Sequence, residues 1–371
     1  MRHRFLALSA AGLLLIPLGW LAATQLSEAA AVDASPTLDR EPEGEFARPP
    51  GHIIDKVLFT PDGSCLVGLG ARAVRDEQGR RELKEGVIDF WDVKTRKLDR
   101  TLVEPGLVAA AAFTPDGKKL VTAGWDKRMR LYGGKKWELE HEFPHDPPNQ
   151  AANHLAMLAG GKRFVSGNVG FKGPRLWDLE KREAKPLGAA KVAVNGVAVS
   201  RDGKRFAIAY VGPITEIWDA EKIEDIGRLK MEVEGGGGRQ GVFTSVAFSP
   251  DGKTIATGCY PLTGMPALRL WDAKTLKKLH ECEGLGYGLK CIAYTPDSKL
   301  VVGCTGPDDD SPGRVGIWEV ESGKLVHRFN SWKHGGMQMA LSADGKWLAT
   351  CGVDCTLRLW DFEKIRKEIG K

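Results

Sequence analysis

Seven in-phase repeats, a glycine-rich composition and one tight turn in every repeat predict an all-β fold. The expected architecture is a seven-bladed β-propeller of four-stranded antiparallel blades, preceded by an N-terminal signal or anchor segment. The tripeptide Pro-Asp-Gly or a near variant recurs at Pro61-Asp62-Gly63, Pro115-Asp116-Gly117, Arg201-Asp202-Gly203, Pro250-Asp251-Gly252, Pro296-Asp297-Ser298 and Ala343-Asp344-Gly345, and a degraded Ala159-Gly160-Gly161 fills the gap. A second mark follows each turn: Trp91-Asp92, Tyr132-Gly133, Trp177-Asp178, Trp218-Asp219, Trp271-Asp272, Trp318-Glu319 and Trp360-Asp361, spaced 41, 45, 41, 53, 47 and 42 residues apart. A period of roughly 40–50 residues with an aromatic–acid mark is the signature of blades arranged around an axis. Glycine supplies 45 and proline 20 of the 371 residues, above the ~12% usual for the pair, which argues against a helical bundle or coiled coil.

The first element is an export signal. Arg2, His3 and Arg4 precede an apolar run from Phe5 to Ala23, and Ala29 with Ala31 offers an A-x-A cleavage pattern. The run is also near the length that spans a bilayer. Two fates for residues 1–31 are therefore open, removal as a signal peptide or retention as an anchor. Both place the bulk of the chain in an exported, periplasmic or extracellular compartment. Residues 32–44 carry no apolar periodicity and are expected to be a linker, with the propeller occupying residues 45–371.

Within a repeat the grammar is constant. An apolar stretch such as Ser245-Val246-Ala247-Phe248 enters the turn, where Pro presets φ and Gly accepts a positive one. Thr254-Ile255-Ala256-Thr257 supplies a second strand, Leu270-Trp271-Asp272 ends a third, and Lys278-Leu279-His280-Glu281 makes a fourth. Seven such units closed on themselves leave few exposed edges.

On these turns and Trp-Asp marks, residues of roughly 45–371 resemble the WD40-repeat family, in the degenerate form seen in its bacterial members. The resemblance implies a hydrogen-bonded tetrad in each blade, with a Gly-His before the first strand and an Asp in the turn ahead of the Trp strand. Only His52 and His334 fit the first position, and only Asp126 and Asp354 the second. Blade seven alone, with His334, Asp354 and Trp360, is expected to keep the structural set.

Closure of the ring follows from what remains at each end. After Trp360-Asp361 only residues 362–371 are left, mostly charged, whereas Glu45-Phe46-Ala47-Arg48 sits where other blades carry a fourth strand. Residues ~45–49 are expected to complete the last blade. The rival is that residues 363–371 form that strand themselves or a short helix.

Chain order puts the second-to-third and fourth-to-first connections on one face, called the upper face. The long insertions fall there: Ala71–Glu85, Val169–Pro174, Cys259–Ala267 and Gly306–Gly313. The same rim collects Trp125, Phe171, Tyr260, Tyr287 and Trp332, with Arg72 and Arg128 nearby, a composition suited to a partner-binding hot spot. The opposite face carries many lysines beside its turns, among them Lys118, Lys162, Lys204 and Lys253. It reads as solvated surface, or as a contact with anionic lipid if the leader is retained.

Catalytic chemistry is not visible. Gly236–Gly241 matches G-x-G-x-x-G but lies between strands, with no helix to receive a pyrophosphate. Asp308-Asp309-Asp310 lacks the ligand spacing of a calcium loop. No cofactor, metal or catalytic residue is expected, and Cys351–Cys355 is a candidate disulfide only. The net charge of +5, from 53 Lys+Arg against 48 Asp+Glu, is too small to imply nucleic-acid binding. The expected function is an exported, non-catalytic propeller that binds protein partners through its upper loops. The alternative is a propeller enzyme, a quinoprotein-like dehydrogenase or a hydrolase, with its site on the upper face or channel mouth.

Overall fold

A computed structural model describes residues 38–371 except 145–150, 169, 171–172, 189–191, 232–240, 261–266, 286–287, 306–312, 333–335 and 353–355. The leader, Phe171, Tyr287, His334, Asp354, Cys355, Asp308-Asp309-Asp310 and most of the Gly236–Gly241 stretch lie outside the described residues.

The chain from Thr37 onward forms a seven-bladed β-propeller. Its first strands are His52–Phe59, Val108–Phe113, Ala152–Met157, Val194–Val199, Val242–Phe248, Leu289–Tyr294 and Gly336–Leu341. Each is the inner edge of its own sheet, and each touches the first strand of the next blade, the seventh returning to the first.

The recurrent turn is built by side chains as well as by glycine. A hydroxyl just before the tripeptide donates to the turn aspartate in six blades: Thr60 to Asp62, Thr114 to Asp116, Ser200 to Asp202, Ser249 to Asp251, Thr295 to Asp297 and Ser342 to Asp344, at 2.6–2.7 Å. The same aspartate accepts the backbone N–H two residues on, as in Lys118 to Asp116 at 3.1 Å. This is an Asx turn that ties the first strand to the second. Gly117 takes φ 68°, and where blade six has Ser298 the serine is held at 63°, a conformation that glycine reaches without Cβ strain.

The Trp-Asp mark has two separate jobs. The indoles are buried, from 0% exposed at Trp91 to 6% at Trp218. They sit in apolar clusters that each join two neighbouring blades, so the core is a set of wedges between sheets. The aspartate organises the third-to-fourth turn: Asp92 accepts from the Thr95 N–H at 2.7 Å and Asp272 from the Thr275 N–H at 2.6 Å. In blade seven Asp361 instead accepts from the Lys364 N–H at 2.8 Å and caps a helix, Phe362–Glu368. That helix uses the chain that would have made a fourth strand.

The missing strand comes from the other end. Gly44–Glu45 pairs antiparallel with Leu357–Asp361, and the Phe46 N–H donates to Leu357 O at 3.0 Å. Closure thus begins one residue earlier than the sequence suggests, and the C-terminal helix coexists with it. Leu38–Asp39, inside the stretch expected to be a linker, forms a short parallel pair with Leu325–Trp332, giving blade six a fifth strand.

Candidate functional site

On the upper face, blade one carries the longest strands among the described residues. Its second and third strands, Cys65–Arg75 and Arg81–Asp92, continue pairing to Arg75–Arg81, whereas blade two turns between Gly124 and Arg128. The Ala71–Glu85 insertion is therefore a hairpin rather than a loop. Its tip is fixed by Asp76, which accepts from the N–H groups of Gln78 and Arg80 and from Arg80 Nε. Arg72 is exposed and ion-paired to Glu85 at 2.6 Å, and Arg128 is paired to Glu142.

Two of the aromatics stand out from the rim. Trp125 is 36% exposed in the blade-two turn, its N–H fixed to Leu107 O at 2.8 Å. Tyr260 is 65% exposed at the end of its strand. Its ring lies against the backbone at Gly288, where a Cβ would come within 2.7 Å of the ring. The two belong to blades two and five, so they mark separate points of the rim. Trp332 ends the fourth strand of blade six. Trp360 is buried, and its Nε1 donates to Thr350 Oγ1 at 2.9 Å.

The inner edges carry a feature that sequence reading missed. Every first strand has an irregularity at the same register. Side chains there satisfy the inner-edge backbone of other blades. Asn195 Nδ2 donates to Phe243 O at 2.8 Å, Thr244 Oγ1 donates to Leu289 O, and Cys291 Sγ donates to Met339 O at 3.4 Å. Gln338 Oε1 accepts the Val57 N–H at 3.2 Å. Lys56 reaches past the small Ala109 and Ala110 of blade two, and its Nζ donates to Asn153 O in blade three.

This belt lies near the upper mouth, and below it the register places Ala112, Ala156, Ala198, Ala247, Ala293 and Ala340 in six of seven blades. The belt is electrically unusual. Burial, reinforced by the Lys290 charge, pulls the Lys56 ammonium down to about 8. Burial, then the Lys56 and Lys290 charges, hold the His154 imidazole well below its usual range. Burial pushes Asp55 up to about 6. No spacing motif links these residues. What could have exposed them is the register itself, a Lys or His where other repeats place Ala, Gly or Ser.

Comparison with known proteins fits the repeats. The sequence matches the family described as WD domain, G-beta repeat over residues 97–133, 232–260 and 323–361. The first and third matches start at the fourth strand of one blade and end with the third strand of the next, so the sequence repeat is offset by one strand from the blade. This chain carries WD40 repeats in a seven-bladed propeller. It is 29% identical over 123 residues to Periodic tryptophan protein 2 of Arabidopsis thaliana, covering 33% of this chain and 13% of that protein. It is 29% identical over 131 residues to Protein groucho of Drosophila melanogaster, covering 35% and 17%. With Serine-threonine kinase receptor-associated protein of Gallus gallus it shares 24% identity over 250 residues, 66% of this chain and 63% of that one. The WD40 propeller thus spans less than two thirds of each of these relatives.

Among the described residues the tetrad positions carry different hydrogen-bond sets in different blades. In blade one His52 Nδ1 lies 2.7 Å from Asp89 Oδ2, both buried. At blade two Glu104, the last residue of blade one's fourth strand, accepts from Thr122 at 2.5 Å, from Tyr132 at 3.0 Å and from Arg130 at 3.0 Å, and Arg130 also pairs with Asp126. Blades three, five and seven share one solution, a Trp Nε1 donating at 2.9 Å to a second-strand hydroxyl: Trp177 to Ser166, Trp271 to Thr257, Trp360 to Thr350.

Proposed function

We propose that this WD40 propeller is an exported, non-catalytic platform that binds a protein partner on its upper face. The observation that carries this reading is the exposure of Trp125, in the blade-two turn, and of Tyr260, at a strand end of blade five, both on fixed backbone. Rigid aromatic side chains lose little conformational entropy on docking and make effective anchors. Phe171, Tyr287, Trp332, Arg72 and Arg128 complete the proposed contact set. The basic, apolar leader supports export. If the leader is retained, the lysine-bearing lower face would rest on anionic lipid.

The test is affinity capture from the exported fraction with the chain from residue 32 as bait, beside W125A/Y260A and a lower-face K118E/K204E control. A partner kept by the parent and the control but lost by W125A/Y260A supports the reading. A partner lost only by the control moves the site to the lower face.

A further inference from the structure

We propose that the upper mouth of the axial channel is a carboxylate-binding site in which Lys56 and Lys290 hold the anion, with His154 beside them. Three independent elements converge there. Lys56 extends from blade one across blade two to the Asn153 carbonyl, which leaves two of its ammonium hydrogens for another acceptor. Lys290 projects from blade six and is exposed. His154 follows Asn153 in blade three. The Lys290 charge acts on Lys56, and both lysine charges act on His154, so the three share one local field.

That field is short of counter-charge. Among the described residues neither lysine is in an ion pair. The nearby carboxyl is Asp55, which burial raises to about 6, so at pH 7 one carboxylate stands against two lysines. Like charges gathered in a concave, partly desolvated mouth repel one another until an anion enters. Asn153 Oδ1 is also buried there without a hydrogen-bond partner, an acceptor that a bound water or a ligand hydroxyl would satisfy. Beneath the belt the alanine register keeps the bore free of other charge. A carboxylate suits the site because its two oxygens can meet two ammonium groups on opposite walls, and because it is small enough for the mouth. The anion's source is either a free organic acid or an acidic side chain of a docked protein segment.

The proposal stands apart from the upper-face reading, since a free acid would occupy the mouth with no partner bound. Succinate is titrated calorimetrically into the full propeller at pH 7 and pH 8.5, with neutral succinamide as control. Saturable one-to-one binding of succinate alone is expected, tighter at pH 7, with proton uptake at the higher pH as the anion restores the lysine charge. K56M and K290M should each weaken it by about tenfold or more, whereas K118M on the lower face should leave it unchanged. Methionine preserves stem volume, and melting curves establish that both variants fold. An acidic pentapeptide competing with succinate would identify the protein-borne source, and failure to compete the free acid. No succinate binding to the parent chain, or equal binding by K56M and K290M, overturns the proposal.

Discussion

The side-chain oxygen Oε1 of Gln338, in the last blade, accepts the backbone N–H of Val57, in the first, at 3.2 Å. It is one link of a belt in which Asn195, Thr244, Cys291 and Lys56 make the corresponding bonds between blades. A strand at the inner edge of a blade has no neighbour to pair with, and its backbone groups would otherwise depend on channel water. Side chains supply the partners and at the same time couple blade to blade.

Replacing Gln338 by Leu removes the acceptor and leaves the Val57 N–H unpaired. A loss of about 1–2 kcal/mol is expected, read from urea or guanidinium midpoints. Val57 is also expected to gain faster amide hydrogen exchange, which a general loss of packing would not confine to one strand.

The N-terminal closure is expected to contribute as much as a core residue. Phe46 is 4% exposed, its ring centroid 6.0 Å from that of Trp91, and Trp91 Nε1 donates to Ala47 O at 3.0 Å. Phe46→Ala should cost about 3–4 kcal/mol in equilibrium unfolding. A chain starting at residue 50 should lose more.

Glu104, at the end of blade one's fourth strand, is a hub of contacts into blade two. Glu104→Ala leaves Arg130, 3% exposed, with only Asp126 and Glu142, and is expected to cost about 3 kcal/mol. Glu104→Gln keeps acceptors for Thr122 and Tyr132 and should cost less. Thermal melts of the two variants separate the charge from the hydrogen bonds.

The channel groups give a signed pH dependence. Asp55 is raised from 3.8 to about 6, so the folded state binds its proton more tightly and stability falls as pH rises through that window. Lys56 is lowered from 10.5 to about 8, so stability rises between about pH 8 and 10.5 as the folded lysine releases its proton first. Lys290, Asp55, Cys291 and Cys351 face Lys56, and His154 lies within its field. Denaturation midpoints across pH 7–11 should show the upper rise in the parent and not in K56M.

Cys291 and Cys304 are register partners on adjacent antiparallel strands and are hydrogen-bonded through their thiols. A disulfide oxidant such as oxidised glutathione is expected to join them, each thiol losing its hydrogen while the glutathione disulfide is reduced to two thiols. Peptide mapping should find Cys291 and Cys304 linked, with the mass lower by two hydrogens. Cys259 and Cys282, pushed by burial up to about 11 and 12, should remain reduced.

What could be read from sequence follows from what repeats. The turn aspartates and the Trp-Asp marks recur because every blade needs the same Asx turn and the same buried indole, and so they locate seven blades and their order. The fourth strand from Gly44–Glu45 was legible because Asp361 is followed by too little chain. The channel belt was not, because its residues differ in every blade: Lys56, His154, Cys291 and Gln338 share a register and no chemistry. Nor did sequence reveal the hydrogen-bond sets at the tetrad positions, since Glu104 and Arg130 lie 26 residues apart in the sheets of two blades and meet only where those blades adjoin. The Leu38–Asp39 pairing escaped because two residues carry no periodicity.

Gly44 pairs with Leu359, 315 positions further along the chain, so a strand made before the first blade waits for the last blade to find its partner. Until the seventh blade exists, the ring is an open arc whose terminal sheets offer bare edges to other copies. A contact so distant in sequence makes the final seal slow relative to the local hairpins that precede it. Pulling on either end of the finished molecule, by contrast, loads the same short seam. The two ends of this WD40 propeller therefore form a single latch, set late in folding and first to open under force.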